Sequence, residues 1–347
     1  MPVEPQDLWS LGTAFPTRVG GIFPKFGRSA ADKEDPGLSR IMRLLTALVM
    51  LLALAGVAGL GALGVMRARD DAIAREKAAA RERARAIAQV VHDAVQSDLG
   101  AVIGTTARPD VQFGIAHKTY AKSIPYLLEL LATHPWFASV GVYDGGGRLV
   151  VRFPTDPSII GGRFGQQEYF KVARSVGVAH ISNLFVQLGK PRGVVIAYSI
   201  RILYHGRIYG VFVGTTPITH FDAMVAPYVP AGAIVRIYNA SGERISPSWE
   251  ASGKTYTTDP VVGPTLAGRS SIRRTGGLIV AAEPIADIGW AVVMTQPAKI
   301  GDARVQDLTV RLSWLAGGAT FLALIAATAA WRRRRPNQAP NEGPNEA

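Results

Sequence analysis

The chain contains no cysteine, and this absence excludes disulfide bonds, thiolate catalysis and metal or iron–sulfur centres with cysteine ligands. Its histidines do not show the paired spacing of a zinc-binding helix. No G-x-S-x-G motif of a serine hydrolase is present, and the G-K-T at 253–255 has a serine where a phosphate-binding loop needs its first glycine. From these absences we predict that the protein is not an enzyme and that it holds no metal ion or cofactor.

Charged residues are also absent from two long stretches, residues 44–66 and 312–331. Each is long enough to cross a hydrocarbon core of ~30 Å as a helix that rises ~1.5 Å per residue. Four arginines at 332–335 directly follow the second stretch, and basic flanks favour the cytoplasm. We therefore expect a two-pass protein of the bacterial inner (plasma) membrane, with both termini cytoplasmic and the central domain periplasmic or extracellular.

The first apolar stretch has two other interpretations. It could be a cleaved signal peptide, and translation could begin at Met42 rather than at Met1. The stretch is longer than the apolar part of a typical signal peptide, and no clean A-x-A cleavage site follows it. An uncleaved anchor is therefore favoured.

The net charge of +12 raises the question of a nucleic-acid partner. Much of the basic excess lies beside the two apolar stretches, where Lys and Arg can contact anionic lipid. The remaining surplus either keeps the domain soluble or favours anionic ligands. We therefore expect the membrane, and not nucleic acid, as a partner of the basic segments.

Residues 70–99 contain neither proline nor glycine and are rich in strong helix formers. Ile87, Val91, Val95 and Leu99 recur every four residues, which places them on one apolar stripe. The pattern predicts a helix that continues from the first apolar stretch and packs its stripe on the following domain. The helix could also pair with a second copy, and we expect a homodimer, although no heptad pattern is long enough to require one.

Beyond residue 135 the pattern changes to short strands and tight turns, and it occurs twice. Y-D-G-G-G-R-L-V at 143–150 matches Y-N-A-S-G-E-R-I at 238–245, and G-V-V-I-A at 193–197 matches G-L-I-V-A at 277–281. In the first copy, strands are predicted at 137–143, 148–153, 179–187, 193–201 and 207–215. A repeat on this scale predicts two related subdomains, each an antiparallel sheet with helical cover.

The order of these segments resembles the double Cache family, the PAS-like extracytoplasmic sensor domains of bacterial chemoreceptors, histidine kinases and diguanylate cyclases. The resemblance covers about residues 67–300, and its motifs include G-G-R-F-G at 161–165 and E-Y-F-K-V-A at 168–173. It implies an α+β fold with two tandem PAS-like antiparallel-sheet subdomains on a long N-terminal helix, flanked by two transmembrane helices. The predicted organisation is, in chain order, a disordered cytoplasmic head (1–40), a transmembrane helix (41–66), a stalk helix with the helical start of the Cache domain (67–134), a membrane-distal subdomain (135–228), a membrane-proximal subdomain (229–300), a second transmembrane helix (312–331) and a basic cytoplasmic tail (332–347).

The resemblance also implies a ligand site in the distal subdomain, between the helix at 166–174 and the facing strands. Amino-acid-binding members have an Arg for the carboxylate, an aromatic pair and an Asp for the ammonium group. In this chain the corresponding positions are Gln167, the pair Tyr169 and Phe170, and Gln187. Amides replace both charged groups, so an amino acid is not the implied ligand, whereas a carboxylate remains a candidate because Arg201 or Arg163 could supply a cation. The predicted ligand-binding residues are Gln167, Tyr169, Phe170, Phe185, Gln187, Tyr198 and Arg201.

We therefore expect a sensor that binds a small molecule in its distal subdomain. Residues 332–347 offer no room for a kinase, a cyclase or a signalling coiled coil, so the signal is expected to pass through the spans to a membrane-bound signalling protein. The alternative is a membrane-anchored interaction or scaffold protein of the cell envelope, in which the ligand pocket is vestigial.

Overall fold

The computed structural model describes residues 36–298 and, beyond them, residues 310, 311, 314, 317, 318, 321 and 325. The predicted head up to residue 35, the predicted tail and the other residues of the predicted second span lie outside the described residues. The chain divides into two compact units, Met1–Ala58 and Gly59–Ala347.

Helix α1 (Pro36–Thr106) contains the first apolar stretch. In the first unit, apolar side chains such as Leu48, Leu51 and Val57 are exposed. Among the described residues, Leu45–Thr106 is the one helical segment long and apolar enough to cross a membrane, and its apolar window has a mean hydropathy of 2.4 with no buried residue. By length and composition, the first predicted span is therefore a candidate membrane helix.

In the second unit, α1 gains a buried face. Ala80, Ala84, Ile87, Val91 and Val95 are fully buried, at the spacing of three or four residues that keeps side chains on one side of a helix. The prediction of a helix with an apolar stripe over residues 70–99 is thus confirmed, and the stripe is the part of α1 that joins the core.

Two short helices, α2 (Pro109–Ala116) and α3 (Ile124–Thr133), lead from α1 into the first sheet. This sheet has the strand order β2-β1-β6-β5-β3, with β4 also paired to β5, and all its pairs are antiparallel. Helix α4 (Glu168–Val176) covers one face. The strands are β1 (Ser139–Asp144), β2 (Leu149–Phe153), β3 (His180–Ile181), β4 (Phe185–Val186), β5 (Val194–Tyr204) and β6 (Arg207–Pro217).

One predicted strand, at 179–187, is divided into the two short strands β3 and β4. Between them the Ser182 hydroxyl accepts a hydrogen bond from the Ala197 N–H, and the Leu184 N–H is donated to the Glu243 carboxylate at 3.0 Å. Side chains thus replace backbone partners at this point, which interrupts the ladder and links the loop to the second sheet.

Helix α5 (Ile218–Val225) leads into the second sheet, which has the order β10-β11-β12-β7-β8-β9 and is also antiparallel. Helix α6 (Val262–Leu266) lies against β11 and β12. The strands are β7 (Ile234–Tyr238), β8 (Glu243–Ser246), β9 (Ser252–Thr255), β10 (Ser271–Thr275), β11 (Leu278–Ile285) and β12 (Trp290–Pro297).

The two sheets repeat one design, as the sequence repeat predicts. The series β2-β1-β6-β5-β3 in the first sheet corresponds to β8-β7-β12-β11-β10 in the second. The first sheet and its helices are called the distal subdomain below, and the second sheet and its helix the proximal subdomain, after the predicted order. One continuous core joins α1 to one face of both sheets, for example through Ile87, Tyr198 and Ile237. The opposite face of each sheet forms a smaller cluster with its own short helix, α4 or α6. Each subdomain therefore has a face toward α1 and a face beneath a short helix.

Candidate functional site

The predicted ligand site lies on the face of the distal sheet that α4 covers. Gln167 is half-buried at the start of α4, with extended backbone geometry, and its carbonyl oxygen accepts a hydrogen bond from the Lys171 N–H. The helix ends at Gly177, whose φ of +84° is the left-handed geometry that glycine adopts without strain. Helix α4 is therefore a short element with both ends defined by the local sequence.

Aromatic side chains fill the space between α4 and the sheet. Tyr169 and Phe170 of α4 are buried against Tyr143 of β1, and the ring of Tyr169 lies 5.2 Å from that of Phe185. The Tyr143 and Tyr169 hydroxyl oxygens are 3.4 Å apart. Burial raises the pKa of both tyrosines, so their hydroxyls are neutral at physiological pH and can donate as well as accept hydrogen bonds. The aromatic residues predicted for the site thus lie together, and their rings contact one another.

Gln187 is buried on the same side of the sheet, and both its amide oxygen and its amide nitrogen have hydrogen-bond partners within the protein. The Thr215 hydroxyl donates to its Oε1 at 2.6 Å, Ser139 lies 3.4 Å from the same atom, and its Nε2 donates to the Pro191 carbonyl at 2.9 Å. An amide with these three partners stabilises the loop and the sheet as they stand. A ligand that used Gln187 would have to replace one of them.

Arg201 lies on β5 at the other end of α4. Residues 197, 199 and 201 point to the α4 side because side chains alternate along a strand, and the Ser199 hydroxyl donates to the Tyr169 carbonyl at 2.9 Å. A Cβ atom at Gly177 would lie 2.7 Å from the Arg201 Cζ, so the guanidinium packs directly against the end of α4. The Arg201 Nε is buried and has no hydrogen-bond partner. The face therefore contains one cationic donor that an acceptor could still bind.

Two other predicted or candidate residues lie apart from this face. Tyr198 is fully buried on the opposite side of β5, in the core with α1, where its ring lies 5.9 Å from Phe137. Tyr198 and Arg201 are three positions apart, and an odd separation puts two strand residues on opposite faces. Arg163 is exposed in the loop before α4. The structure thus brings Tyr169, Phe170, Phe185, Gln187 and Arg201 to one face and separates Tyr198 from them.

Sequence reasoning missed two buried charged residues beside the site, Arg152 and Asp156. Arg152 pairs with Gly141 across the ladder, and its guanidinium donates to the carbonyl oxygens of Pro154 at 2.8 Å and Lys190 at 2.6 Å. Hydrogen bonds from Ser158, and then from the Lys190 N–H, lower the pKa of Asp156 to about 2. The two residues hold the loops at 154–158 and 189–191 beside the sheet. In the sequence, the arginine within the otherwise apolar pattern of β2 was the signal that could have identified Arg152.

The groups on this face are of kinds that can bind a small molecule. The face offers aromatic walls, tyrosine hydroxyls, an amide and a partly buried guanidinium, the kind of lining that small-molecule sites use. Within the described residues, no three His, Asp or Glu side chains converge as metal ligands.

Comparisons with known proteins bear on the fold. No family model matches the chain, and no curated protein matches it. Among solved structures, the ligand-binding domain of the Pseudomonas fluorescens chemoreceptor CtaA in complex with L-isoleucine has a TM-score of 0.53 at 13% identity, over 69% of this chain and 98% of that one. The sensory domain of the Campylobacter jejuni chemoreceptor Tlp3 with isoleucine bound has a TM-score of 0.52 at 11% identity, over 67% and 96%.

A third structure, an extracellular ligand-binding receptor from Desulfohalobium retbaense, has a TM-score of 0.50 at 14% identity. The match covers 62% of this chain and 39% of the receptor, so the chain corresponds to well under half of that protein's length. At these identities the likeness concerns the fold. The chain has the fold of chemoreceptor ligand-binding domains, which is the double Cache fold that its sequence resembles.

Proposed function

We propose that the protein is a membrane-anchored extracytoplasmic sensor that binds a small molecule beneath α4 of its distal subdomain. The observation that carries the proposal is the Arg201 Nε, a buried donor without a partner, on a face with aromatic walls, in the fold of chemoreceptor ligand-binding domains. Burying an unpaired donor of a charged group is unfavourable, and a ligand acceptor would remove that penalty.

The ligand class that fits is a small molecule with a carboxylate. A guanidinium binds a carboxylate through charge-assisted hydrogen bonds, and Tyr143 and Tyr169 add neutral hydroxyls that can donate. The similar domains have L-serine, L-valine, L-isoleucine or L-Arg bound. For this chain the charge pattern differs, since Gln167 and Gln187 stand at the positions where the resemblance implies an Arg and an Asp.

A route from the site to α1 passes through β5. The α4 backbone contacts Ser199, and the adjacent Tyr198 points to the other face, into the core that contains α1. Because the aromatic rings of the site contact one another, a ligand would have to separate them and shift α4 relative to the sheet. A ligand changes the equilibrium between two such states only by its difference in affinity for them.

The remaining parts of the proposal concern the membrane. We infer that α1 crosses the bacterial inner membrane, that a second span follows the domain with both termini cytoplasmic, and that the signal passes to a membrane-bound signalling protein. The homodimer is part of the same proposal. Support comes from the apolar helix Leu45–Thr106 and from the similar structure that is an extracellular ligand-binding receptor.

The experiment is a thermal-shift screen of the full chain in detergent against organic acids, amino acids, amines and purines. A ligand at a hundred times its Kd adds about 2.7 kcal/mol to the free energy of unfolding, which corresponds to a rise of several degrees in Tm. Arg201→Met should abolish the rise, and Arg174→Met, an exposed arginine on α4, should retain it. A hit that is unaffected by Arg201→Met would contradict the proposed site.

A scaffold protein of the cell envelope with a vestigial pocket is the second candidate. It is favoured by the packing of the aromatic face and by the hydrogen bonds of Gln187 to Thr215 and Pro191 within the protein. A flat screen, together with a stable complex with another membrane protein that survives Arg201→Met, would support this function over the first.

A further inference from the structure

On the face of the proximal sheet that also carries α6, two arginines share one carboxylate. Arg236 of β7 donates from Nε and Nη2 to the two carboxylate oxygens of Glu250, at 2.9 and 3.2 Å. Arg244 of β8 donates from Nη1 to one of the same oxygens. The side chains of Arg236, Arg244 and Glu250 are 24%, 14% and 26% exposed, so the group is largely desolvated but reachable from solvent. One negative charge therefore faces two positive charges.

Aromatic rings and an unpaired donor complete this group. The Arg244 guanidinium lies over the ring of Tyr256 at 4.5 Å and near that of Tyr238 at 5.9 Å. Its Nε is buried without a hydrogen-bond partner. A purely structural ion-pair cluster accounts for the bonds to Glu250, but it leaves the Arg244 Nε–H without an acceptor, and one carboxylate balances only one of the two positive charges. The group therefore still has a donor for a further acceptor.

The location of the group corresponds to that of the distal site. Tyr238 lies at the end of β7 as Tyr143 lies near the end of β1, and each belongs to the cluster that includes its own short helix. In the proximal subdomain the space beside the tyrosine receives a side chain from outside the sheet, since Glu250 is on the short 3-10 helix Ser248–Glu250 at the sheet edge. The hydrogen bond from Arg236 holds the pKa of Glu250 below its ordinary value, so Glu250 is a carboxylate at neutral pH.

We propose that the proximal subdomain contains a carboxylate-binding site formed by Arg236, Arg244 and the rings of Tyr238 and Tyr256, and that Glu250 occupies it as an internal carboxylate. A free carboxylate competes with Glu250 for the two guanidinium groups. Its binding releases the short helix Ser248–Glu250. This site is separate from the one beneath α4, and the two proposals can fail independently.

Release of Glu250 would affect α5, the helix that connects the two subdomains. The Ser248 N–H and the Ser246 hydroxyl both donate to the carboxylate of Asp222, at 2.9 and 2.6 Å. Asp222 is on α5, the helix that joins the distal sheet to the proximal one. A movement of the Ser248–Glu250 helix would thus act directly on the hydrogen bonds to Asp222 of α5.

The test is a titration of the full chain in detergent with sodium acetate and sodium succinate, against sodium chloride at equal ionic strength, with Tm as the readout. In Glu250→Gln the internal carboxylate is lost, and we expect a rise of several degrees that chloride does not produce, with an apparent affinity at least about tenfold tighter than in the native chain. Glu129→Gln is the matched control because Glu129 is also ion-paired, to Arg108, but is exposed. This control should not gain the response.

Two double variants locate the response. Glu250→Gln with Arg244→Met should lose it, whereas Glu250→Gln with Arg201→Met should keep it, because Arg201 belongs to the distal face. A response that Arg201→Met removes and Arg244→Met retains would overturn the proposal, as would the absence of any carboxylate-specific rise in a folded Glu250→Gln chain.

A measurement on the native chain covers the case in which Glu250→Gln does not fold. The ¹⁵N resonance of the Arg244 Nε–H, assigned by its loss in Arg244→Met, should shift on addition of acetate to high concentration and not with chloride. An unchanged resonance would refute the proposed site.

Discussion

The carboxylate of Asp98 on α1 makes a specific prediction about stability and pH. Asp98 is buried, the Trp136 Nε1–H donates to its Oδ1 at 2.7 Å, and the Tyr198 hydroxyl faces it from β5. Burial raises the pKa of Asp98 from 3.8 to about 6, against the smaller opposing effects of Trp136 and Tyr198. The charged carboxylate is therefore unfavourable in the folded chain.

The size of the effect follows from the two pKa values. Between 3.8 and about 6 the folded chain binds more protons at Asp98 than the unfolded chain does. The stability contributed by the neutral carboxyl is thus complete below the unfolded pKa and is lost as the pH rises through the folded pKa. At 1.36 kcal/mol per pKa unit the full loss is about 3 kcal/mol, of which about 2 kcal/mol falls between about pH 4.5 and about pH 7.5.

Asp98→Asn removes this titration and keeps an acceptor oxygen for the Trp136 N–H. From about pH 4.5 to about pH 7.5, we expect the free energy of unfolding of the variant to rise by about 2 kcal/mol relative to that of the native chain. This change corresponds to about 4–8 °C in Tm for a domain of this size. The assay is thermal unfolding of both full-length chains, followed by circular dichroism across this range. Asp71→Asn, an exposed carboxylate on the same helix, is the control and should show no such gain.

Two histidines beside Trp136 act in the opposite direction. Burial lowers the pKa of His134 and of His220, whose rings lie 5.2 and 5.3 Å from that of Trp136. Their contribution to stability is lost as the pH falls, but it is common to both chains and cancels in the difference. A difference between Asp98→Asn and the native chain that is independent of pH would refute the reasoning.

Two further predictions concern packing and the attachment of α1. Gly210→Ala should destabilise the distal sheet by more than about 2 kcal/mol in thermal unfolding, because the new Cβ would lie 2.2 Å from the Tyr143 carbonyl oxygen. Gly193→Ala is the control and should change stability little, because a Cβ at that position meets nothing within 4 Å. Equal effects of the two substitutions would contradict this explanation. Glu283→Gln should cost about 1–3 kcal/mol, because the buried carboxylate accepts the Arg81 Nε–H at 2.9 Å and so ties α1 to β11. Unchanged proteolysis and an unchanged Tm in Glu283→Gln would show that this contact does not hold the helix.

Much of the architecture is local and therefore readable from the sequence. The helix over residues 70–99 follows from its composition and its four-residue stripe, and both predict the buried face at Ile87, Val91 and Val95. The duplicated strand–turn–strand pattern predicts two related sheets, and their common strand order confirms it. The division of 179–187 into two strands was missed because it depends on side chains from elsewhere, including Glu243.

The candidate sites show where local reasoning ends. Alternation along β5 separates Tyr198 from Arg201, a distinction that the family resemblance did not make. The pairing of Gln187 with Thr215 requires the closed sheet, because Gln187 directly follows β4 whereas Thr215 lies on β6. Likewise, the cluster of Arg236, Arg244 and Glu250 forms only because the fold brings Arg236 of β7 to Glu250 on the 3-10 helix Ser248–Glu250.

The sequence by itself determined the long helix, the two apolar stretches, the paired sheets and the absence of cysteine chemistry, because each depends on composition or on spacing between near neighbours. Only the tertiary structure decided which side chains share a face, which charges are buried and which donors lack a partner. Those properties depend on contacts between residues far apart in the chain, such as Arg81 with Glu283. Packing creates such contacts, and no periodicity along the chain encodes them.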